Sequence, residues 1–227
     1  MDQIPYSEAL AAFKRDCNEN AVIAGLLREQ FRGELIEPVL DVGAGSGELA
    51  TLAFPDLTAI LLDLEAYDTP ASSLHKRRTG DFMRLDFTAL KPNTIIFCHS
   101  ATYFGLDMQT FGSQLIESGA RVALIISNEN TGILKDIADQ LRTIPICFVD
   151  PFHVSPLRAT LERKVSFSAQ LACADFYTMA KHVVRVMLDL PLDARVLAVV
   201  EQQLRSSTTL PKIEIAEAIY CYRLDNS

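Results

Sequence analysis

Three glycines at alternate positions close the stretch Val39-Leu40-Asp41-Val42-Gly43-Ala44-Gly45-Ser46-Gly47. An apolar run carrying one acid leads into them, and Glu48 onward then reads as a helix. A strand that turns into a helix at glycines exposes bare backbone, because glycine accepts positive φ and has no Cβ. The helix N-terminus beyond it adds N–H groups and a partial positive charge. This pattern predicts the nucleotide-binding corner of a doubly wound α/β domain. The chain has 227 residues, enough for one large domain with its own core.

The alternation of elements supports the same architecture. Ser7 to Cys17 predicts a first helix with Ser7 as its cap, and Ala21 to Phe31 a second, stopped near Gly33. Both precede the first strand, Val39 to Val42, so residues 1–34 read as a helical lid before the core. Leu57 to Leu62 is continuously apolar, as a parallel strand buried on both faces requires. It ends in Asp63, about 20 residues after Gly43, where doubly wound folds place an acid on ribose hydroxyls. Glu65 takes that place if the strand runs two residues longer. Arg78 to Phe87 predicts a short strand and a loop. Strands follow at Asn93 to Cys98 and Arg121 to Ile126, with helices over Gln109 to Ser118 and Thr131 to Leu141.

Beyond Pro145 the alternation weakens. Leu161 to Gln170 predicts a strand, Phe176 to Leu188 and Ala194 to Leu204 helices, and Ile213 to Leu224 a last strand. Residues 145–210 therefore read as a cover segment at the sheet edge, with 35–144 and 211–227 as the core of a single domain. The expected fold is a mostly parallel seven-stranded sheet with an N-terminal helical extension.

Charge and cysteines exclude several classes. A net charge of −8 repels phosphate backbones, so nucleic acid is not an expected partner. The five cysteines are scattered and none forms a C-x-x-C pair, so buried thiols in a reducing compartment are expected. No signal peptide or membrane-spanning run is evident, and the expected location is the cytoplasm.

The spacing Gly43-x-Gly45-x-Gly47, with Asp41 two residues before it, departs from the G-x-G-x-x-G of nicotinamide enzymes. It resembles motif I of the class I S-adenosylmethionine-dependent methyltransferases. Asp63, Gly80-Asp81-Phe82 and Cys98 to Phe104 extend the resemblance over about residues 35–130. It implies S-adenosylmethionine as cofactor, held by Asp41, Gly43, Ala44, Gly45, Gly47, Asp63, Leu64, Asp81, Phe82 and Cys98. Asp41 then orients the methionine amino group, and Asp63 accepts from the ribose. Asp81 accepts from the adenine amine, and the Phe82 N–H donates to the ring.

Tyr6, Phe13 and Glu19-Asn20, followed by a helix and motif I, are similar to the start of histamine N-methyltransferase and its relatives. That resemblance implies a lid over the cofactor and an acid, Glu19, on a substrate ammonium. Tyr103-Phe104 also resembles that family's paired aromatics, and Ser100 falls near the position of its substrate-contacting Gln. Read from the residues alone, Tyr6 and Phe13 either pack the extension or face a ligand, and Glu19 either caps a helix or binds substrate. Glu217 shares the apolar face of the last strand with Ile213, Ile215, Ile219 and Cys221, so it meets a cationic substrate, pairs with a lysine or arginine, or reaches water at the strand end.

Methyl transfer to an amine needs the nitrogen deprotonated. His99 at the end of the fourth strand is the first candidate base and Glu19 the second; His99 as a packed core histidine is the alternative. His153 opens the cover segment and is a substrate candidate with Tyr6, Glu19, Ser100, Tyr103, Phe104 and Glu217. His75 and His182 read as ordinary surface or helix residues. Asn128-Glu129-Asn130 is a poor Mg²⁺ set, so no metal is expected. The function expected is N-methylation of a small amine. The alternatives are O-methylation of a small metabolite, or a protein that binds the cofactor without transferring methyl.

Overall fold

The computed structural model describes residues 5–67, 73–101, 108–129, 131–141 and 159–224. Helices α1 (Tyr6–Asp16) and α2 (Glu19–Gln30) precede β1 (Val39–Val42), α3 (Glu48–Ala53), β2 (Ala59–Asp63) and β3 (His75–Thr79). Then come β4 (Thr94–Cys98), α4 (Met108–Glu117), β5 (Val122–Asn128) and α5 (Gly132–Leu141). The chain ends with β6 (Ala159–Ala172), α6 (Phe176–His182), α7 (Ala194–Ser207) and β7 (Lys212–Leu224).

The sheet has seven strands in the order β3-β2-β1-β4-β5-β7-β6. β1 pairs in parallel with β2 and β4, β2 with β3, and β4 with β5. Every residue of β1 and of β5 is buried, as expected of central parallel strands covered on both faces. The order runs outward from β1 on one side and from β4 on the other, so β1 and β4 meet at the switch point where doubly wound sheets bind ligands.

The chain forms two compact units. One comprises Met1–Glu19, Asn128–Val149 and Ser166–Glu217; the other comprises Asn20–Ser127, Asp150–Val165 and Ala218–Ser227. The core of the first gathers Phe13, Ile137, Leu171, Met179, Val184 and Leu204. The core of the second gathers Leu40, Phe82, Phe97, Phe111, Ile125 and Tyr222. In the second, the Phe82 ring meets Phe87, Phe97 and Phe111 at centroid distances of 5.7, 5.2 and 5.9 Å. Such aromatic contacts each add about 0.5–1.5 kcal/mol beyond area burial.

Several local expectations are corrected. α1 begins a residue earlier than expected, and Pro5 caps it, its carbonyl accepting from the Glu8 and Ala9 N–H groups. Ser7 lies inside the helix. β3 covers His75–Thr79 rather than starting at Arg78, because the Ala59 to Asp63 strand pairs with that polar stretch in register. The helix expected to run on to Leu188 changes at Val183 to a π-helical turn, Val183–Met187. A carboxylate cap starts α6, where Asp175 accepts from the Thr178 N–H at 2.7 Å, and another starts α7, where Asp193 accepts from Arg195 and Val196.

Candidate functional site

The glycine corner sits at the C-terminal end of β1. Gly43, Gly45 and Gly47 take φ of +74°, +54° and +76°. At two of them the missing Cβ makes room for protein. A Cβ on Gly43 would lie 2.7 Å from the Ser100 Cβ, and one on Gly47 would lie 2.6 Å from the Leu61 Cδ1. The corner is therefore tight because β4's exit and β2 press on it. Ser100 is buried and its hydroxyl donates to the Val42 carbonyl at 2.5 Å, so on these contacts it braces β1 against the β4 exit. The Gly43 and Ala44 N–H groups both donate to the Leu62 carbonyl, at 2.8 and 3.1 Å.

Asp63 closes the next edge. Its Oδ2 accepts from the Gly45 N–H at 2.8 Å and its Oδ1 from the Glu65 N–H at 3.1 Å. Each carboxylate oxygen has two lone pairs, so among the described residues one acceptor site per oxygen remains after these bonds. The side chain is half-buried and reachable by a diol. Leu64, next to it, is 72% exposed, an open apolar surface for a flat ring. After β3, Asp81 Oδ1 accepts from the Met83 N–H at 2.9 Å, with the Arg84 guanidinium 3.7 Å from its other oxygen. Phe82 beside it is 2% exposed, so the aromatic core anchors this turn. Asp41 lies within β1 at 2% exposure.

Two residues at this corner escaped the sequence reading. Arg77 in β3 donates from Nη1 to the Gly45 carbonyl at 3.0 Å and from Nη2 to the Ser46 carbonyl at 2.5 Å. A guanidinium thus holds the loop from outside with charge-assisted bonds. Its carbon also lies 5.9 Å from the Tyr67 ring centroid. Burial, then the charges of Asp63 and Glu65, push the Tyr67 hydroxyl above its ordinary pKa. The stretch His75–Thr79 is polar throughout and gave no sequence signal for Arg77.

The other expected residues are placed as follows. His99 follows β4 with φ of +55°, a conformation costing a non-glycine residue roughly 1–2 kcal/mol, and its N–H donates to the Ile126 carbonyl at 2.9 Å. Cys98, at the end of β4, is half-buried. Asn20 Nδ2 donates to Glu48 Oε2 at 2.8 Å, tying α2 to the first residue of α3. Glu19 is the first residue of α2, where its charge suits the helix dipole. Tyr6 lies in α1, and the cation at its ring is Arg185, 5.3 Å from the centroid. Glu217 is completely buried on β7 with Ile213, Ile215, Ile219 and Cys221, as its period-two position predicts. Tyr103, Phe104 and His153 lie outside the described residues.

His75 differs from expectation, and His182, a helix residue as expected, is buried. His75 is buried in β3, 4% exposed, with Nε2 3.3 Å from the Phe54 carbonyl. The apolar β2 neighbour and the Phe54 ring enclose it, which the polar sequence around it did not suggest. His182 is 5% exposed and its Nε2 lies 2.9 Å from Asp16 Oδ2.

No protein-family model matches the chain, and no curated protein matches it. Solved structures do. The chain resembles the YcgJ protein of Bacillus subtilis at 13% identity and a TM-score of 0.59, over 91% of this chain and all of that one. It resembles a methyltransferase described from Bacillus halodurans at 12% identity and TM-score 0.57, over 85% and 96% of the two chains. It resembles geranyl diphosphate methyltransferase, solved with S-adenosylmethionine, at 11% identity and TM-score 0.51, over 97% and 90%. The fold is Rossmann-like, that of these methyltransferases. At such identity the likeness extends to the fold alone. Among the described residues, no helix is long and apolar enough to cross a membrane.

Proposed function

We propose that this protein is an S-adenosylmethionine-dependent methyltransferase acting on a small molecule, with the nitrogen of a small amine as acceptor. The observation that carries the reading is Asp63. Its carboxylate is held by two main-chain N–H groups, one from the glycine loop, and among the described residues still offers an acceptor on each oxygen. That arrangement suits a vicinal diol at the glycine corner, and Leu64 and Asp81 beside it suit an aminated aromatic ring. Asp63 takes the ribose hydroxyls, Asp81 the adenine amine and Asp41 the methionine amino group, with Arg77 keeping the loop in shape.

When bound, the sulfonium supplies an already activated methyl group. The protein's own work is then to orient the acceptor and exclude water. His99 or Glu19 receives the proton that the amine must lose before it attacks. The amine reading is supported by the resemblance of residues 6–20 to histamine N-methyltransferase, by Glu19 and Glu217 as acids, and by the net charge of −8. An acidic protein favours cationic over phosphorylated ligands. Tyr103, Phe104 and His153 complete the substrate side in this reading.

Calorimetry with S-adenosylmethionine and S-adenosylhomocysteine is the first test. One site per chain is expected, weakened in Asp63→Asn, and no detectable binding would overturn the proposal. Methyl transfer from labelled cofactor to a panel of amines, phenols and carboxylates then reports the acceptor class. Turnover confined to phenols or carboxylates would refute the amine assignment.

A further inference from the structure

Asp16, Cys173 and His182 come from three places in the chain and meet within one unit. Asp16 ends α1, Cys173 follows β6 and His182 ends α6. One donor atom from each, a carboxylate oxygen, the sulfur and a ring nitrogen, lies within 4.8 Å of the other two. The His182 Nε2 and Asp16 Oδ2 are 2.9 Å apart.

We propose that these three side chains bind one borderline-soft divalent cation of the Zn²⁺ class. Metal–donor lengths of about 2.0–2.3 Å place tetrahedral donors about 3.2–3.8 Å apart. The three donor atoms, all within 4.8 Å of one another and two of them 2.9 Å apart, bracket that spacing. The donors select the ion: thiolate and imidazole disfavour Mg²⁺ and Ca²⁺, which take all-oxygen sets.

The surroundings are tied together by hydrogen bonds and a ring contact. The Cys173 N–H donates to the Pro211 carbonyl at 2.9 Å. Asp175 caps α6 two residues on, and the Phe13 ring stands edge-on to His182 at 5.9 Å. Asn18, just past α1, exchanges two hydrogen bonds with Gln170 of β6: its N–H donates to the Gln170 carbonyl at 3.1 Å, and its Oδ1 accepts from the Gln170 N–H at 2.6 Å. Both strands of chain that carry Asp16 and Cys173 are thereby held before any ion arrives. The Asp16 side chain is 34% exposed, which leaves a path for the ion and a place for a water as fourth ligand. On binding, the Cys173 thiol loses its proton to solvent and the sulfur–metal bond forms. The ion then pins α1 to α6 and the end of β6. This proposal does not depend on the methyltransferase reading.

Chelator-treated full-length protein titrated with Co²⁺ tests it. One Co²⁺ per chain and a thiolate-to-cobalt absorption in the near ultraviolet are expected, both displaced by Zn²⁺. Cys173→Ser should abolish the absorption, and Asp16→Asn should raise the Co²⁺ dissociation constant about tenfold or more. Cys17→Ser and Cys221→Ser should leave it intact. Zinc-edge X-ray absorption on the wild-type chain, which needs no variant to fold, should show one sulfur with nitrogen and oxygen. No absorption at stoichiometric Co²⁺, its survival in Cys173→Ser, its loss in Cys17→Ser, or a zinc shell without sulfur would each overturn the assignment.

Discussion

Alanine at Gly43 probes the corner on which the whole site depends. The residue sits at φ +74°, so any side chain there carries the left-handed cost of roughly 1–2 kcal/mol. The new Cβ would also lie 2.7 Å from the Ser100 Cβ and 3.3 Å from its Oγ. Ser100 cannot swing away cheaply, because it is buried and its hydroxyl is bonded to the Val42 carbonyl. Overpacking of this kind costs about 1–3 kcal/mol, so Gly43→Ala should destabilise by about 2–5 kcal/mol in total. Gly119 supplies the control: its φ is +69° and a Cβ there meets nothing within 4 Å. Gly119→Ala should therefore lose only the backbone part, roughly 1–2 kcal/mol. Urea unfolding of both variants beside the wild type isolates the contact as the difference between them. Equal losses in the two variants would refute the reasoning, because they would show that Ser100 does not press on the corner.

Other expectations follow from single contacts. Arg77→Met removes both charge-assisted bonds to the Gly45 and Ser46 carbonyls and should cost about 1–3 kcal/mol, with weaker calorimetric affinity for S-adenosylhomocysteine; wild-type values in both assays would show that the loop holds itself. Gly25 lies inside α2 with open space where a Cβ would go, so Gly25→Ala should stabilise by about 0.5–1 kcal/mol, read as a higher urea midpoint. Burial first, then Glu34 and Glu162, push the Cys221 thiol up to about 11. Because the folded value is above the unfolded value of about 8.5, the protonated thiol's contribution is complete below that pH and is lost as pH rises through about 11. Wild type should lose more urea stability between pH 7 and pH 10 than Cys221→Ala does, and parallel declines would contradict this.

Much of the glycine corner was readable because its signals are local. A buried parallel strand needs an unbroken apolar run, and a strand-to-helix turn at positive φ needs glycine. Both requirements are met by neighbours in the chain, so β1, the glycines, α3 and Asp63 follow from adjacent residues. The caps Asp175 and Asp193, which the structure revealed, are also set by adjacent residues. Ser7 misled because several residues near a helix start resemble caps, and the Pro5 carbonyl took the role. The acid at Glu217 was legible as buried because period two fixes its face.

Pairing across the fold was not legible. Arg77 reaches the glycine loop only because β3 lies in register beside β2, and that register comes from strand packing. His75 is buried in a polar stretch for the same reason. Ser100 fills the space over Gly43 only because β4 ends beside β1. Asp16, Cys173 and His182 have no sequence spacing in common, and their meeting is decided by how α1 and α6 pack with the end of β6. Chain order alone determined where β1 turns into α3 and which apolar runs are buried. Tertiary structure decided which distant side chains share a few ångströms, because hydrogen bonding, metal ligation and overpacking act through distance in space.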